Sequence, residues 1–194
     1  LQHWSRSESN PETRLSVPVL ALSNRPQADG LRRAQLAGLP ARAIDHTSFP
    51  DRRSFENAMI EALDEAQVEW IVCAGFMRVL TPHFLRRYQG RVLNTHPSLL
   101  PAFPGVNAPE QAIASGVTVS GCTVHFVDEG VDTGPIIAQG VVPVEPGDSG
   151  ETLGERIRSI EHLLYPRAIA RVLAGRVHRD GRKVAVDGPP LRLP

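Results

Sequence analysis

The sequence predicts an α/β fold with a mostly parallel, twisted sheet and helices on both faces. Short apolar runs of strand length alternate with segments of helical spacing. Two of those runs, Trp70-Ile-Val-Cys-Ala-Gly and Val92-Leu93, are apolar on both faces, as strands covered from both sides must be. The chain has 194 residues, 41% of them hydrophobic. That is enough for one domain that buries roughly 70% of its unfolded surface, so a single domain over residues 1–194 is expected.

The elements follow in order. Residues 1–14 are polar, and Leu15-Ser-Val-Pro-Val-Leu-Ala-Leu reads as a strand that Pro18 places at an edge or gives an irregular start. Residues 31–37 are helix-like, and Ala41-Arg-Ala-Ile44 can form a short strand. Asp51 or Ser54 can cap a helix whose Phe55, Met59, Leu63 and Ala66 recur at helical spacing and are expected in the core. Thr81-Pro82 supplies a cap and a first-turn proline for a helix through Tyr88. Residues 117–127 and 135–144 read as strands able to pair across the 128–134 loop. Asp148 or Ser149 caps a long helix towards Gly175, with a kink expected at Pro166. Asp180-Gly181 suggests a closing hairpin. In such a Rossmann-like sheet ligands collect at the carboxyl ends of the strands, where Gly75-Phe-Met-Arg and Asn94-Thr-His fall.

Charge excludes some functions. The 21 basic and 21 acidic residues balance, leaving no field to recruit nucleic acid or a membrane surface. No apolar run approaches bilayer-spanning length, and the opening Leu1-Gln-His-Trp-Ser-Arg has no signal-peptide core, so a soluble, cytoplasmic protein is expected. Cys73 and Cys122 lie in apolar runs without CxxC spacing and read as reduced, buried thiols. A homodimer is the expected assembly, since closed pairs dominate among soluble oligomers.

Two loops carry the chemistry. Arg91-Val-Leu-Asn-Thr-His-Pro-Ser-Leu-Leu-Pro-Ala-Phe-Pro-Gly105 presents Asn94 and His96, and Gly121-Cys-Thr-Val-His-Phe-Val-Asp-Glu-Gly-Val-Asp-Thr-Gly-Pro135 presents Asp132. An asparagine amide can donate to an oxygen that gains negative charge, and an imidazolium can do the same or pass a proton to a leaving nitrogen. A nearby carboxylate favours the charged imidazole or acts as a base through water. This set suits acyl transfer without a serine or cysteine nucleophile when the substrate brings an amine. Taken alone, the same side chains can merely cap turns, and His96, His125 and Asp132 can in principle be read as a two-histidine, one-carboxylate metal set.

These motifs, with Cys73-Ala-Gly-Phe-Met-Arg78 and Glu161-His-x-x-Tyr-Pro166, resemble the formyltransferases that use 10-formyltetrahydrofolate. Within them the chain is most similar to the phosphoribosylglycinamide formyltransferase family of purine biosynthesis, from Leu15 onward. The resemblance implies the formyltransferase fold and a metal-free transfer of the formyl group of 10-formyltetrahydrofolate, as co-substrate, to the amine of glycinamide ribonucleotide. It implies that Asn94 and His96 flank the formyl carbon, with Asp132 supporting the charged histidine. Folate binding is implied for Arg52, Met77, Arg78, Val79, Leu80, Asn94, Asp128, Glu129, Gly130, Val131 and Asp132. Nucleotide binding is implied for Arg158, Ser159, Ile160 and Glu161. His125 and His162 are expected to be structural histidines beside the site.

Two departures accompany the resemblance. The family opens with a strand and a Ser-Gly-x-Gly-Ser/Thr-Asn loop whose amides cradle the substrate phosphate. Here Leu1-Gln2 is similar to the residues just after that loop. The expectation is therefore a chain without the strand and loop that keeps the folate pocket and holds the ribonucleotide phosphate weakly. Asn107 stands where relatives often carry histidine. The alternatives are a formyltetrahydrofolate hydrolase, from which Pro97-Ser-Leu-Leu departs, and an inactive folate-binding module, against which the intact Asn94, His96 and Asp132 speak.

Overall fold

A computed structural model describes residues 17–189 and Leu191. The polar opening stretch, and Leu15 and Ser16 of the expected first strand, lie outside the described residues. The chain divides into two compact units, one ending at Glu69 and one beginning at Trp70.

In the first unit, strands β1 (Ala21–Ser23) and β2 (Ala41–Ala43) pair in parallel through a crossover made by helix α1 (Asp29–Leu36). Helix α1 buries Leu31 and Ala34, one helical turn apart, and pairs Asp29 with Arg32 and Arg33 on its outer face. The strand expected from Leu15 is ordered as a ladder only from Ala21, beyond Pro18. Helix α2 (Arg52–Glu65) is capped by Asp51, whose carboxylate accepts from the Ser54 amide at 2.7 Å. Phe55, Met59 and Leu63 are buried as expected. Ala66 is only half-buried: it sits at the C-cap, before Gln67 turns the chain in left-handed backbone, and Ala62 takes its place in the core.

The second unit holds a four-stranded sheet in the order β3 (Ile71–Val72), β4 (Val92–His96), β5 (Val119–Phe126), β6 (Ile136–Pro143). The β3–β4 pairing is parallel, whereas β4–β5 and β5–β6 are antiparallel, so the parallel crossovers fall in the first half of the chain and a meander completes the second. The run expected as a strand over 70–75 keeps only two ladder residues. Its last sheet contact is the Cys73 amide donating to Leu93 O at 2.8 Å, after which the chain leaves the sheet, and Val72 is exposed on this terminal strand.

Helix α3 (Pro82–Arg87) starts on its proline and buries Phe84 and Leu85. Helix α4 (Ala108–Ala114) precedes β5. Helix α5 (Gly150–Leu173) opens with a reciprocal capping box between Ser149 and Thr152 and continues through Pro166. Its buried Leu153, Ile157, Leu164, Tyr165, Ala168, Ile169 and Val172 form one core with Leu93, Cys122, Val124, Phe126, Ile137 and Val142 of the sheet. Each large aliphatic side chain buried there contributes about 1.5–3 kcal/mol. Strands β7 (Val177–Asp180) and β8 (Lys183–Val186) form the expected hairpin, with Gly181 left-handed in its turn. Among the described residues, no helix is long and apolar enough to cross a membrane.

Candidate active site

Strand β4 presents Asn94 and His96 on one face, because side chains two apart in a strand point the same way. The antiparallel register sets His125 of β5 opposite Asn94 and Thr123 opposite His96. The loop between β5 and β6 then brings Asp132 back over this face. Asp128 shapes that loop by accepting from the Gly130 amide at 3.2 Å and the Thr133 hydroxyl at 2.6 Å. Gly134 passes so close to Phe126 that a Cβ there would lie 1.7 Å from the Phe126 carbonyl oxygen. Asp132 itself adopts left-handed backbone at φ 54°.

The result is a buried polar cluster. His96 Nδ1 lies 3.2 Å from Asp132 Oδ2, and His96 Nε2 donates to Phe103 O at 2.8 Å. Both ring nitrogens thus face oxygens that can accept. Asp132 Oδ2 also accepts from the Gly105 amide at 2.8 Å, while Asp132 Oδ1 lies 3.7 Å from His125 Nε2. His125 Nδ1 donates to Phe126 O at 2.8 Å, which leaves Nε2 as the acceptor facing the Asn94 amide nitrogen at 3.5 Å. Burial pushes the His125 pKa below the ordinary histidine value, against the opposing pull of Phe126 O and Asp132. The two histidines therefore differ in kind, one ringed by acceptors and the other held neutral.

This cluster lies in a cleft of about 670 Å³. Of the residues singled out in the sequence, Met77, Arg78, Val79, Leu80, Asn94, His96, Asp128, Gly130, Val131, Asp132, Arg158 and Glu161 line it. Met77, Val79 and Val131 expose apolar side chains there. Glu129, Ser159 and Ile160 are not among the lining residues. On α5, positions 158 and 161 share a face, and the two between them are turned away; the Ser159 hydroxyl donates to Glu155 O at 3.1 Å instead. Arg52 opens α2 in the other unit. Burial raises the Glu161 carboxyl pKa, while His162 and Arg158 pull it down.

The sequence reading missed Thr95, Val106, Ala108, Pro109, Glu110, Gly150, Glu151, Gly154, Glu155 and Ile157, which also line the cleft. Stepping back from Glu161 by three and four residues along α5 would have found Ile157, Gly154 and Gly150. The α4 residues carry no such signal. Asn107, the N-cap of α4 in left-handed backbone, lines the cleft as well. Both cysteines are unpaired, and burial raises the thiol pKa to about 12 at Cys73 and about 11 at Cys122, so neither offers a thiolate near neutrality. Among the described residues, no group of three or more histidine, cysteine, aspartate or glutamate side chains is arranged to hold a metal ion.

Comparison with known proteins adds relatives to this geometry. The profile of a family described as Formyl transferase matches residues 5–169. The chain is 45% identical to the phosphoribosylglycinamide formyltransferase of Bacillus subtilis over 155 residues, 80% of each protein. It is 50% identical over 161 residues, 83% of this chain, to the trifunctional purine biosynthetic protein adenosine-3 of Drosophila pseudoobscura pseudoobscura, of which it spans only 12%. The crystal structure of glycinamide ribonucleotide transformylase 1 from Symbiobacterium toebii superposes with a TM-score of 0.85 at 46% identity, covering 87% of this chain and 79% of that one.

Proposed function

The chain belongs to the formyl transferase family, and from that premise we propose that it transfers the formyl group of 10-formyltetrahydrofolate to the amine of glycinamide ribonucleotide. The observation that carries the reading is the convergence of Asn94, His96 and Asp132 in one cleft with an apolar wall at Met77, Val79 and Val131. That wall suits a flat heterocycle, with the loop carrying Asp128, Gly130 and Val131 beside it to read polar edges through its backbone. Arg78 suits the folate's carboxylates through its planar donor fork. Glu161 and Arg158 suit the hydroxyls and the anionic group of the ribonucleotide. Glu129, Ser159 and Ile160 support this reading only as neighbours of lining residues.

The bound folate supplies an activated formyl group, and the protein positions and stabilises. The attacking amine forms a C–N bond to the formyl carbon as the bond to the folate nitrogen breaks. Asn94 donates to the oxygen that gains negative charge, and the His96 imidazolium, once its Nε2–H leaves Phe103 O for the substrate, donates to the same oxygen or delivers a proton to the departing nitrogen. Asp132 holds the cation in orientation and can take the proton released by the amine through water. No metal is assigned to these steps, because the Asp132 carboxylate is already engaged by His96 and Gly105. The working form we propose is a cytoplasmic homodimer.

A steady-state assay tests the reading. Tetrahydrofolate should form from 10-formyltetrahydrofolate only when glycinamide ribonucleotide is present. Release of formate at the same rate without it would place the chain with the hydrolases instead.

A further inference from the structure

The loop from Pro97 to Gly105 touches both members of the His96–Asp132 pair, through Phe103 O on His96 and the Gly105 amide on Asp132. A buried hydroxyl on β5 anchors that loop from behind. Thr123, fully buried on β5, donates to Ser98 O at 2.7 Å and accepts from the Leu100 amide at 3.0 Å and from Gln139 Nε2 at 2.9 Å. One donor and two lone pairs are then all used. Gln139, the β6 partner of Thr123 in the strand register, also donates from Nε2 to Leu100 O at 2.9 Å. The Ser98 hydroxyl closes the loop on itself by donating to Ala102 O at 2.5 Å.

Neither Thr123 nor Gln139 lines the cleft. We propose that they are positioning residues: by holding Ser98 and Leu100 they fix where Phe103 O and the Gly105 amide sit, and so set the His96 ring for proton transfer. Removing the Thr123 hydroxyl strands a buried amide and a buried carbonyl, and the loop must shift to satisfy them. A displacement of about 1 Å at a reacting group can cost about 100-fold in rate. The inference rests on the proposed formyl transfer for its kinetic consequence but not for its structural one.

The test compares Thr123→Val, Thr123→Ser and Gln139→Leu with the parent protein, reading the His96 ring nitrogens by 15N NMR and formyl transfer by kinetics. In the valine and leucine variants the Nε2 resonance should move away from its hydrogen-bonded position. Turnover should fall about 10-fold or more, with KM for 10-formyltetrahydrofolate within about twofold. The serine variant should restore both. Unchanged His96 resonances in both donor-lacking variants would overturn the proposal, as would a serine variant that behaves like valine. If Thr123→Val does not fold by circular dichroism, Gln139→Leu, at an exposed position, decides alone. If the parent transfers no formyl group, the functional reading fails while the nitrogen resonances still decide the positioning.

Discussion

His96 Nδ1 and Asp132 Oδ2 stand 3.2 Å apart although one ends strand β4 and the other lies in the loop after β5, and the same oxygen also accepts the Gly105 amide. One carboxylate oxygen thereby ties the loop after β4 to the loop after β5. The pair is almost closed to solvent, with side-chain exposures of 5% and 12%. Changes on either side should therefore reach the other.

Asn94→Ala, His96→Ala and Asp132→Ala should each lower turnover by about 100-fold or more, the scale for one preorganised donor, with little change in folate affinity. The double variant His96→Ala/Asp132→Ala should be little worse than the worse single, because both act on one developing charge. Steady-state kinetics with a folate-analogue titration checks this. A His96→Ala enzyme within a few-fold of the parent removes the role assigned to that residue.

Chelation should have no effect. After dialysis against a strong chelator, formyl transfer should persist at its original rate, because the Asp132 carboxylate is spoken for by protein donors. Activity lost on dialysis and recovered with zinc or iron would instead favour the two-histidine, one-carboxylate metal site.

His125 makes stability depend on pH. Its folded pKa lies below the unfolded value near 6.5 because of burial, so the unfolded chain binds the proton more readily. Its contribution is fully present above pH ~6.5 and is lost as the pH falls from there through the folded value. Urea denaturation of the parent and of His125→Gln across pH 5–8 should show a shallower acid limb in the variant. Parallel curves would contradict the neutral assignment.

Truncation of Leu164, fully buried at the centre of α5, should cost about 2–5 kcal/mol in the variant Leu164→Ala. Denaturant melts give the value. A loss below about 1 kcal/mol would mean that the α5 face is not the principal core of its unit.

The thiols should react slowly in the native state. With pKa values of about 12 and 11 set by burial, Cys73 and Cys122 should modify far more slowly with a disulfide reagent at pH 8 than in denaturant. Equal rates in the two states would show that the cleft wall at Cys73 is open.

What could be read from the sequence was local in origin. Asn94 and His96 announce themselves because they follow directly on the apolar Val92-Leu93, and Asp132 because it lies in the loop into which the apolar run of β5 opens. Ser149, Asp51 and Pro82 mark helix starts for equally local reasons. The neutral partnership of His125 with Asn94 depends on the antiparallel β4–β5 register, which a short apolar run does not specify. The brevity of β3 has the same origin: its ladder ends where the chain departs towards Met77, and apolar composition cannot show that. The face of α5 towards the cleft follows from helical period only once one residue, Glu161, is known to lie there.

The most direct measurement is a single-turnover experiment with 10-formyltetrahydrofolate labelled at the formyl carbon, excess enzyme and glycinamide ribonucleotide. The account predicts that the label appears in formylglycinamide ribonucleotide at the rate at which tetrahydrofolate forms, with none in formate. Label in formate, or tetrahydrofolate formation indifferent to the ribonucleotide, would contradict it.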